Sequence, residues 1–485
     1  MRRIWTATYP AAFGVAYILL SFGAFPTPTT DLLRPLLLVI LVSTVLVVVI
    51  GLLVRSLPKA AVIVSVAMVA LSAPFLLVAV AAAAVVIVGF QVARRRWSLA
   101  TLRATSAEAV SRAASIFALA FAAVSVAVAA PALASGAFIG GHPQATGTAA
   151  GLPNIYLLLL DGYPRSDTLR TVYDYDNSWF VDALRELGFE TAEQSRSNYP
   201  QTPLTLASMF NGAYLDEIGG LHPPPESAVE QYRRLMSAVN RAPMLDTLRM
   251  AGYEIDTIPS PFKADALSTA DRTFDSGQIT SFEYSLLMHS QLAPLIVRLV
   301  PDFLMSQERD LFHATLDRLV AGAAAARDKP TFTFAHVFSP PHAPLVYGRN
   351  GEHLALPSCI PDPCQLWAFP PGAWDHLPDQ IHYTNGEVLK AVRQIIRDDP
   401  TGIVILMSDH GSRRDIVDLD EFFHNFFAAR TPGQEVFPAD VSPVNVLRLL
   451  IAAETDVPME PVPYRAWFFA DEERPLELTP FEPSP

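Results

Sequence analysis

Carboxylates are nearly missing from one end of this chain. Residues 1–152 hold two, Asp31 and Glu108, against ten Lys or Arg. The whole chain of 485 residues has a net charge of −13, so residues 153–485 are strongly acidic. That part lacks the basic footprint that nucleic acid requires, which excludes nucleic acid as a partner. Its acidity does not exclude small anionic substrates, because a bound metal reverses the local field. Cysteine is almost absent too. Cys359 and Cys364, in SCIPDPCQ, are the only two. A structural zinc site normally takes four ligands, so two thiols fit it poorly. In an exported domain the pair reads as a local disulfide closing a Pro-rich loop.

What the first part has instead is long uncharged runs. Twenty residues without a charge lie between Arg34 and Arg55, enough for a bilayer core of ~30 Å. Ile4 to Phe25 and Ala113 to Ala134 are similar. A cleaved signal peptide does not account for several such runs in succession. The run from Ala60 to Ala93 is 34 residues long, which as one helix would extend ~51 Å. Its middle, Ser72-Ala73-Pro74, admits either a kink or a hairpin. Basic residues cluster at Arg2 and Arg3, at Arg55 and Lys59, and from Arg94 to Arg112. The positive-inside rule places all three clusters in the cytoplasm, which requires the 60–93 run to cross twice. The expectation is a transmembrane domain of about five helices over 1–134. A Gly/Ala/Thr-rich linker follows over 135–152, then a domain over 153–485 outside the cytoplasm of a bacterial-type plasma membrane.

In that domain, apolar runs read as buried strands at Ile155–Leu160, Thr331–Phe338 and Ile403–Met407, with Phe426–Ala429 a weaker candidate. Amphipathic helical patterns lie at Trp179–Leu187, Gln307–Ala326, Gln380–Ile396 and Val444–Ala453. The alternation predicts an α/β sandwich with a largely parallel central sheet. Ligands gather at the carboxyl ends of the strands of such sheets. Segment 260–305 gives no clear pattern. Leu476 to Pro485 reads as a loose terminus.

Two strands end alike. NIYLLLLDGY runs into Asp161-Gly162, and IVILMSDHG runs into Asp409-His410-Gly411. Asp-Gly alone is an ordinary turn pair. Two carboxylates and an imidazole leaving one side of a sheet point to a hard-metal site suited to Zn²⁺ or Mn²⁺. A third element is NYPQTPLTLASMFNG, Asn198 to Gly212. Thr202 before Pro203 reads as a helix N-cap. It is also a hydroxyl placed where helix amides favour negative charge. Thr205 is the competing hydroxyl.

Asp161 after the first strand, Thr202 before TLASMFNG and Asp409-His410-Gly411 after a late strand resemble the alkaline phosphatase superfamily in its sulfatase-like branch. Membrane spans followed by such a domain are also the layout of lipoteichoic acid synthases and lipid A phosphoethanolamine transferases. The resemblance implies a metal-dependent transfer of a phospholipid head group to an envelope glycolipid, glycan or polymer through a phosphorylated threonine. It implies one divalent ion, Zn²⁺ or Mn²⁺ with Mg²⁺ or Ca²⁺ as further options, held by Asp161, Thr202, Asp409 and His410. His342, in the His-x-Pro of FAHVFSPPHAPLVY, corresponds to a histidine that contacts phosphate or protonates the leaving group. His336, His424, Arg413 and Asn198 are lesser candidates for substrate contact, and packed or salt-bridged roles compete for them. Arg165 is a further base of the same kind.

The chain departs from the sulfatases themselves. It has Thr202-Pro203-Leu204-Thr205-Leu206 where they carry a Cys or Ser in a C/S-x-P-x-R pattern. It has Asp161 where the transferases often use Glu. Asp379, His382 and His424 are the residues available for a second ion, although one ion is the expected number. The alternative function is hydrolysis of phosphate or sulfate esters on the same scaffold. Donor, acceptor and oligomeric state stay open at this level.

Overall fold

The computed structural model describes residues 9–25, 27, 29–72, 107–135, 151–260, 267–274, 279–300, 303–338, 342, 346–354, 373–412, 418–469, 471 and 474–482. The chain divides into two compact units. One comprises residues 1–137 and 280–300, the other 138–279 and 301–485.

The first unit is helical. Its longer elements are Ala11–Ala24, Leu33–Leu53 with a 3-10 turn before it at Thr29–Leu32, Leu57–Ser72 and Ala107–Ser135. Small and branched residues meet inside it: Val47, Ala60, Ala61, Val64 and Ala118 are buried together with Tyr9 and Phe13. Outside, Leu37, Leu41, Val45, Leu52, Ile116 and Val124 are exposed. A surface of that kind is stable against lipid rather than water.

Two helical stretches, Thr29–Leu53 and Ala113–Ala130, are long and apolar enough to cross a membrane, and they support membrane association. Among the described residues only these two qualify, which corrects the expected five spans. Counting uncharged residues overestimated helix length. Ala11–Ala24 has 14 residues and extends only ~21 Å at 1.5 Å per residue. The second half of the 60–93 run lies outside the described residues.

The second unit is built on a seven-stranded sheet in the order β2-β7-β6-β1-β5-β3-β4. These strands are β1 Ile155–Leu160, β2 Glu190–Thr191, β3 Glu254–Ile258, β4 Arg272–Thr273, β5 Thr331–Val337, β6 Ile403–Met407 and β7 Phe427–Arg430. The sheet is mixed, which corrects the expectation of a largely parallel one. β1 pairs in parallel with β5 and β6, and β3 pairs in parallel with β4 and β5. β7 runs antiparallel to both β6 and β2. A parallel neighbour needs a crossover, usually helical. Between β6 and β7 the described residues hold only the short 3-10 turn Leu419–Phe423, so the chain turns back along its own edge.

β1 is wholly buried, and its period of two feeds both faces. Ile155, Leu157 and Leu159 pack with the helices Thr202–Asn211, Ala228–Asn240, Pro243–Ala251 and Pro443–Glu454. Tyr156, Leu158 and Leu160 pack with Ser166–Tyr173, Ser178–Glu186, Phe303–Ala324 and Leu377–Asp398. The result is a sheet covered by helices on both sides. The expected loose terminus is in part ordered, since β9 (Leu478–Phe481) pairs antiparallel with β8 (Ala466–Phe469). The disulfide between Cys359 and Cys364 is withdrawn. The described residues hold no disulfide bond, and both cysteines lie outside them.

Glu308, in the Phe303–Ala324 helix, is fully buried, and its Oε2 has no hydrogen-bond partner. Burial pushes its pKa up to about 8. The folded state therefore holds a proton that the unfolded state releases above its ordinary carboxyl pKa. Stability must fall as pH rises from about 4.5 to about 8. Glu308→Gln is expected to remove that slope. It should stabilise the protein by up to about 3 kcal/mol at pH 7 and leave it unchanged near pH 4. Thermal unfolding of both forms across this range checks it; parallel curves would show that Glu308 is charged and paired in the fold.

Candidate metal centre

Three neighbouring strands, β5-β1-β6, deliver the site. β1 ends at Leu160, and the next residue is Asp161, whose N–H donates to the Val337 carbonyl at the end of β5 at 3.0 Å. β6 ends at Met407, and Asp409-His410 follow after Ser408. His336 lies within β5, opposite Leu159 in the register. An apolar strand that must stay inside the sheet up to its last residue places its first polar side chain at the sheet edge.

The geometry of the donors decides what they suit. Asp161 Oδ2 accepts bonds from His336 Nε2 at 3.1 Å and from Thr202 Oγ1 at 3.3 Å. Asp409 Oδ1 accepts from the Gly162 N–H at 3.0 Å. The second oxygen of each, Asp161 Oδ1 and Asp409 Oδ2, is buried and accepts no hydrogen bond. These two oxygens lie 3.6 and 3.4 Å from His410 Nε2. The three donors all fall within 4.8 Å of one another. Ligand atoms around a tetrahedral Zn²⁺ with bonds of 2.0–2.1 Å are roughly 3.3 Å apart. His410 Nδ1 donates to the Gly411 carbonyl at 2.8 Å. That bond fixes the tautomer and leaves the Nε2 lone pair for a ligand. Two buried carboxylate oxygens without donors would be costly unless a cation sits among them. Asp161, Asp409 and His410 are close enough to hold one divalent metal ion.

Burial alone would raise the Asp161 pKa. The charge of His342, the bond and charge of His336 and the charge of His410 outweigh it and hold the carboxyl at about 2. Asp161 is thus an anion at any working pH. The glycines that follow the ligands are needed for space. Gly162 has φ +60°, and a Cβ there would come within 3.1 Å of His342 Cδ2 and 3.3 Å of His410 Cε1. A Cβ on Gly411 would meet the Glu421 carbonyl oxygen at 2.1 Å. The sequence marks Asp161 as a ligand but gives no sign that the Gly162 N–H orients Asp409.

Thr202 and Thr205 separate cleanly. The helix Thr202–Asn211 has Gln201 at its N-cap, and no side chain caps it. The expected N-cap role of Thr202 is therefore corrected. Thr202 is the first helical residue, and its hydroxyl points to Asp161 instead. Thr205 Oγ1 donates to the carbonyls of Tyr199 and Asp409, each at 3.1 Å, so it ties backbone together. Ser197, which the sequence does not single out, donates to the same Asp409 carbonyl at 2.6 Å.

His342 is brought to the site, with its ring 6.4 Å from that of His410. His336 is buried against Asp161. His424 is held elsewhere, its Nε2 3.2 Å from Asp420 Oδ2 and its Nδ1 3.3 Å from Thr168 Oγ1. Asn198 is engaged at both ends of its amide, donating to the Arg465 carbonyl and accepting from the Val444 N–H. Arg165 binds Asp167 and the Ser195 carbonyl. Arg413 lies outside the described residues. Asp379 faces Arg349, and His382 faces Tyr175 and Trp179, so these two do not join the three donors.

His336 is placed to orient a ligand rather than to be one. His336→Gln is expected to leave the fold intact and to weaken metal affinity about 10- to 100-fold, the usual effect of losing such a partner. Calorimetric titration of the apo-protein with Zn²⁺ reads this directly. Unchanged affinity would reduce His336 to packing.

No family model matches the chain, and no curated protein matches it. Solved structures do. The C-terminal periplasmic domain of EcEptC from Escherichia coli, in complex with Zn, is 11% identical, with a TM-score of 0.43, covering 70% of this chain and 96% of that one. An alkaline phosphatase superfamily protein from Vibrio parahaemolyticus is 14% identical, with a TM-score of 0.42 and coverages of 70% and 80%. The integral membrane lipooligosaccharide phosphoethanolamine transferase A from Neisseria meningitidis is 12% identical, with a TM-score of 0.39 and coverages of 72% and 69%. With identities and TM-scores this low, the chemistry has to be argued from the side chains. A buried three-donor metal centre beside a hydroxyl is equipment for metal-assisted nucleophilic chemistry.

Proposed function

We propose that the chain is a membrane-anchored, metal-dependent phosphotransferase. On this reading it moves a phospholipid head group, of phosphoethanolamine or phosphoglycerol type, to an envelope glycolipid, glycan or polymer. The observation that carries the proposal is the Thr202 hydroxyl, 3.3 Å from Asp161 Oδ2 and beside the three converging donors. Residues 153–485 form the catalytic domain, outside the cytoplasm, and the apolar helices before it keep the enzyme at its lipid substrate.

A divalent ion held by Asp161, Asp409 and His410, Zn²⁺ or Mn²⁺ by the donor set, would supply positive charge that lowers the pKa of a neighbouring hydroxyl. Thr202 Oγ, its proton lost to solvent and its oxygen oriented by Asp161, attacks the phosphorus of the head-group diester. An Oγ–P bond forms, and the P–O bond to the lipid glycerol breaks. His342 protonates that leaving oxygen. An acceptor hydroxyl then attacks the same phosphorus, giving its proton to His342; the Oγ–P bond breaks, and Thr202 Oγ takes up a proton from solvent and is free again. With water as the second acceptor the same residues perform hydrolysis.

The test is mass spectrometry of the full chain in liposomes of mixed phospholipids. The expected product is a head-group phosphate on Thr202, with diacylglycerol released. Lipid turnover with the adduct on another residue would overturn the assignment of Thr202. Absence of both adduct and turnover with every phospholipid class would overturn lipid as the donor.

A further inference from the structure

Residues 280–300 follow β4 of the sheet unit in sequence, yet they belong to the helical unit. They form two short helices, Ser281–Met288 and Ala293–Leu299. The first opens with a capping box between Thr280 and Glu283, a strong local start signal. Its Phe282 is fully buried against Phe22 and Phe25, with ring centroids 6.0 and 5.8 Å away. Leu286 joins the same cluster, which also holds Leu36 and Leu133. The Tyr17 hydroxyl donates to the Leu286 carbonyl at 2.9 Å, and the Gln291 N–H donates to the Leu71 carbonyl at 2.8 Å. Glu283 forms an ion pair with Arg34.

These contacts share one level of the bundle. Phe22 and Phe25 are at the end of the Ala11–Ala24 helix, Leu71 at the end of Leu57–Ser72, and Leu133 at the end of Ala107–Ser135. Arg34 is at the start of Leu33–Leu53, where the exposed apolar surface of that helix begins with Leu33 and continues with Leu37 and Leu38. A charged pair where the apolar surface starts marks the boundary between membrane and water. At that boundary the Ala293–Leu299 helix exposes Leu295 by 51% and Leu299 by 67%, with Val300 following at 49%. Leu295 and Leu299 are four residues apart and share one helix face.

We infer that residues 281–300 are a foot that docks on the phospholipid bilayer, with Leu295, Leu299 and Val300 in the boundary between head groups and acyl chains. The occupant is lipid because the segment is seated on helices whose own exposed surface is apolar: Phe282 meets Phe22 and Phe25, Glu283 pairs with Arg34 beside exposed Leu33 and Leu37, and the Gln291 N–H bonds to the Leu71 carbonyl. An apolar patch on a short helix binds such a boundary in proportion to the area it buries. Exposed Arg298 beside the patch suits the head-group layer. This inference is independent of the chemistry at the metal centre.

Photo-crosslinking of the full chain in phosphatidylethanolamine–phosphatidylglycerol vesicles tests it. p-Benzoylphenylalanine replaces Leu299 in one variant and Leu295 in a second, so that failure of one to fold leaves the other. Leu38 serves as the lipid-facing control and Lys390, an exposed residue of the sheet unit, as the water-facing one. Lipid adducts are expected from Leu299 and Leu295 at a yield of the same order as from Leu38, with none from Lys390. Adducts to this chain or to a second copy would overturn the inference in favour of a protein contact. No adduct, with Leu38 positive, would show that the patch faces water and would overturn it too.

Discussion

Asp409→Asn is expected to fold like the parent and to lose the metal ion and the activity together. Asp409 has two separable jobs. Its Oδ1 accepts from the Gly162 N–H, and its Oδ2 is one of the two buried carboxylate oxygens that face His410 Nε2. Asparagine keeps the volume and, through its carbonyl oxygen, the bond to Gly162. It has only amide nitrogen to offer in place of Oδ2, and no charge. Asp409→Ala removes both jobs. It leaves the Gly162 N–H without its acceptor, at a further cost of about 1–3 kcal/mol. Metal analysis of the purified full chain should give about one equivalent of Zn²⁺ or Mn²⁺ for the parent and almost none for either variant. The comparison separates binding from folding, since only Asp409→Ala should unfold at a lower temperature than the metal-free parent. One full equivalent retained by a folded Asp409→Asn would sink the site.

How much of this was legible beforehand depended on how local the signal was. The strands Ile155–Leu160 and Ile403–Met407 are uninterrupted apolar runs, and the structure has strands at those residues. The same runs announced where Asp161 and Asp409 emerge, because a polar residue after a fully buried strand has nowhere else to go. Non-local facts were hidden. That β7 turns back antiparallel to β6 depends on a missing crossover, which periodicity does not report. The number of spans failed for a related reason: absence of charge sets an upper bound on helix length, not the length itself. His336 could be seen as a histidine of a buried strand, but its bond to Asp161 needs the pairing of β1 with β5. The attachment of 280–300 to the helical unit rests on Phe282 meeting Phe22, 260 positions away in sequence. Thr202 was conspicuous for a partly mistaken reason. Thr-Pro suggested a cap, whereas the structure gives the cap position to Gln201. The hydroxyl is thereby left to face Asp161.

That correction makes Thr202 a cleaner target for substitution. Thr202→Val keeps the branched shape and removes only the hydroxyl. It gives up one bond, to Asp161 Oδ2, worth about 1 kcal/mol, and no capping interaction. It should fold, keep its metal ion and fall in lipid turnover by on the order of 10⁴ or more, as expected when a nucleophile is removed. Thr202→Ser keeps a hydroxyl at the same atom and should retain measurable turnover. Thr205 supplies the control. Its hydroxyl is 3.1 Å from the Tyr199 and Asp409 carbonyls, so Thr205→Val should cost stability, about 1–2 kcal/mol, and leave a working nucleophile. The two threonines are thus expected to show opposite patterns. One loses rate without stability, and the other loses stability with most of its rate kept. Release of diacylglycerol from mixed phospholipid vesicles gives the rate, and thermal unfolding of the same preparations gives the stability. Parent-like turnover by Thr202→Val, in a protein that still carries its metal ion, would remove Thr202 from the reaction.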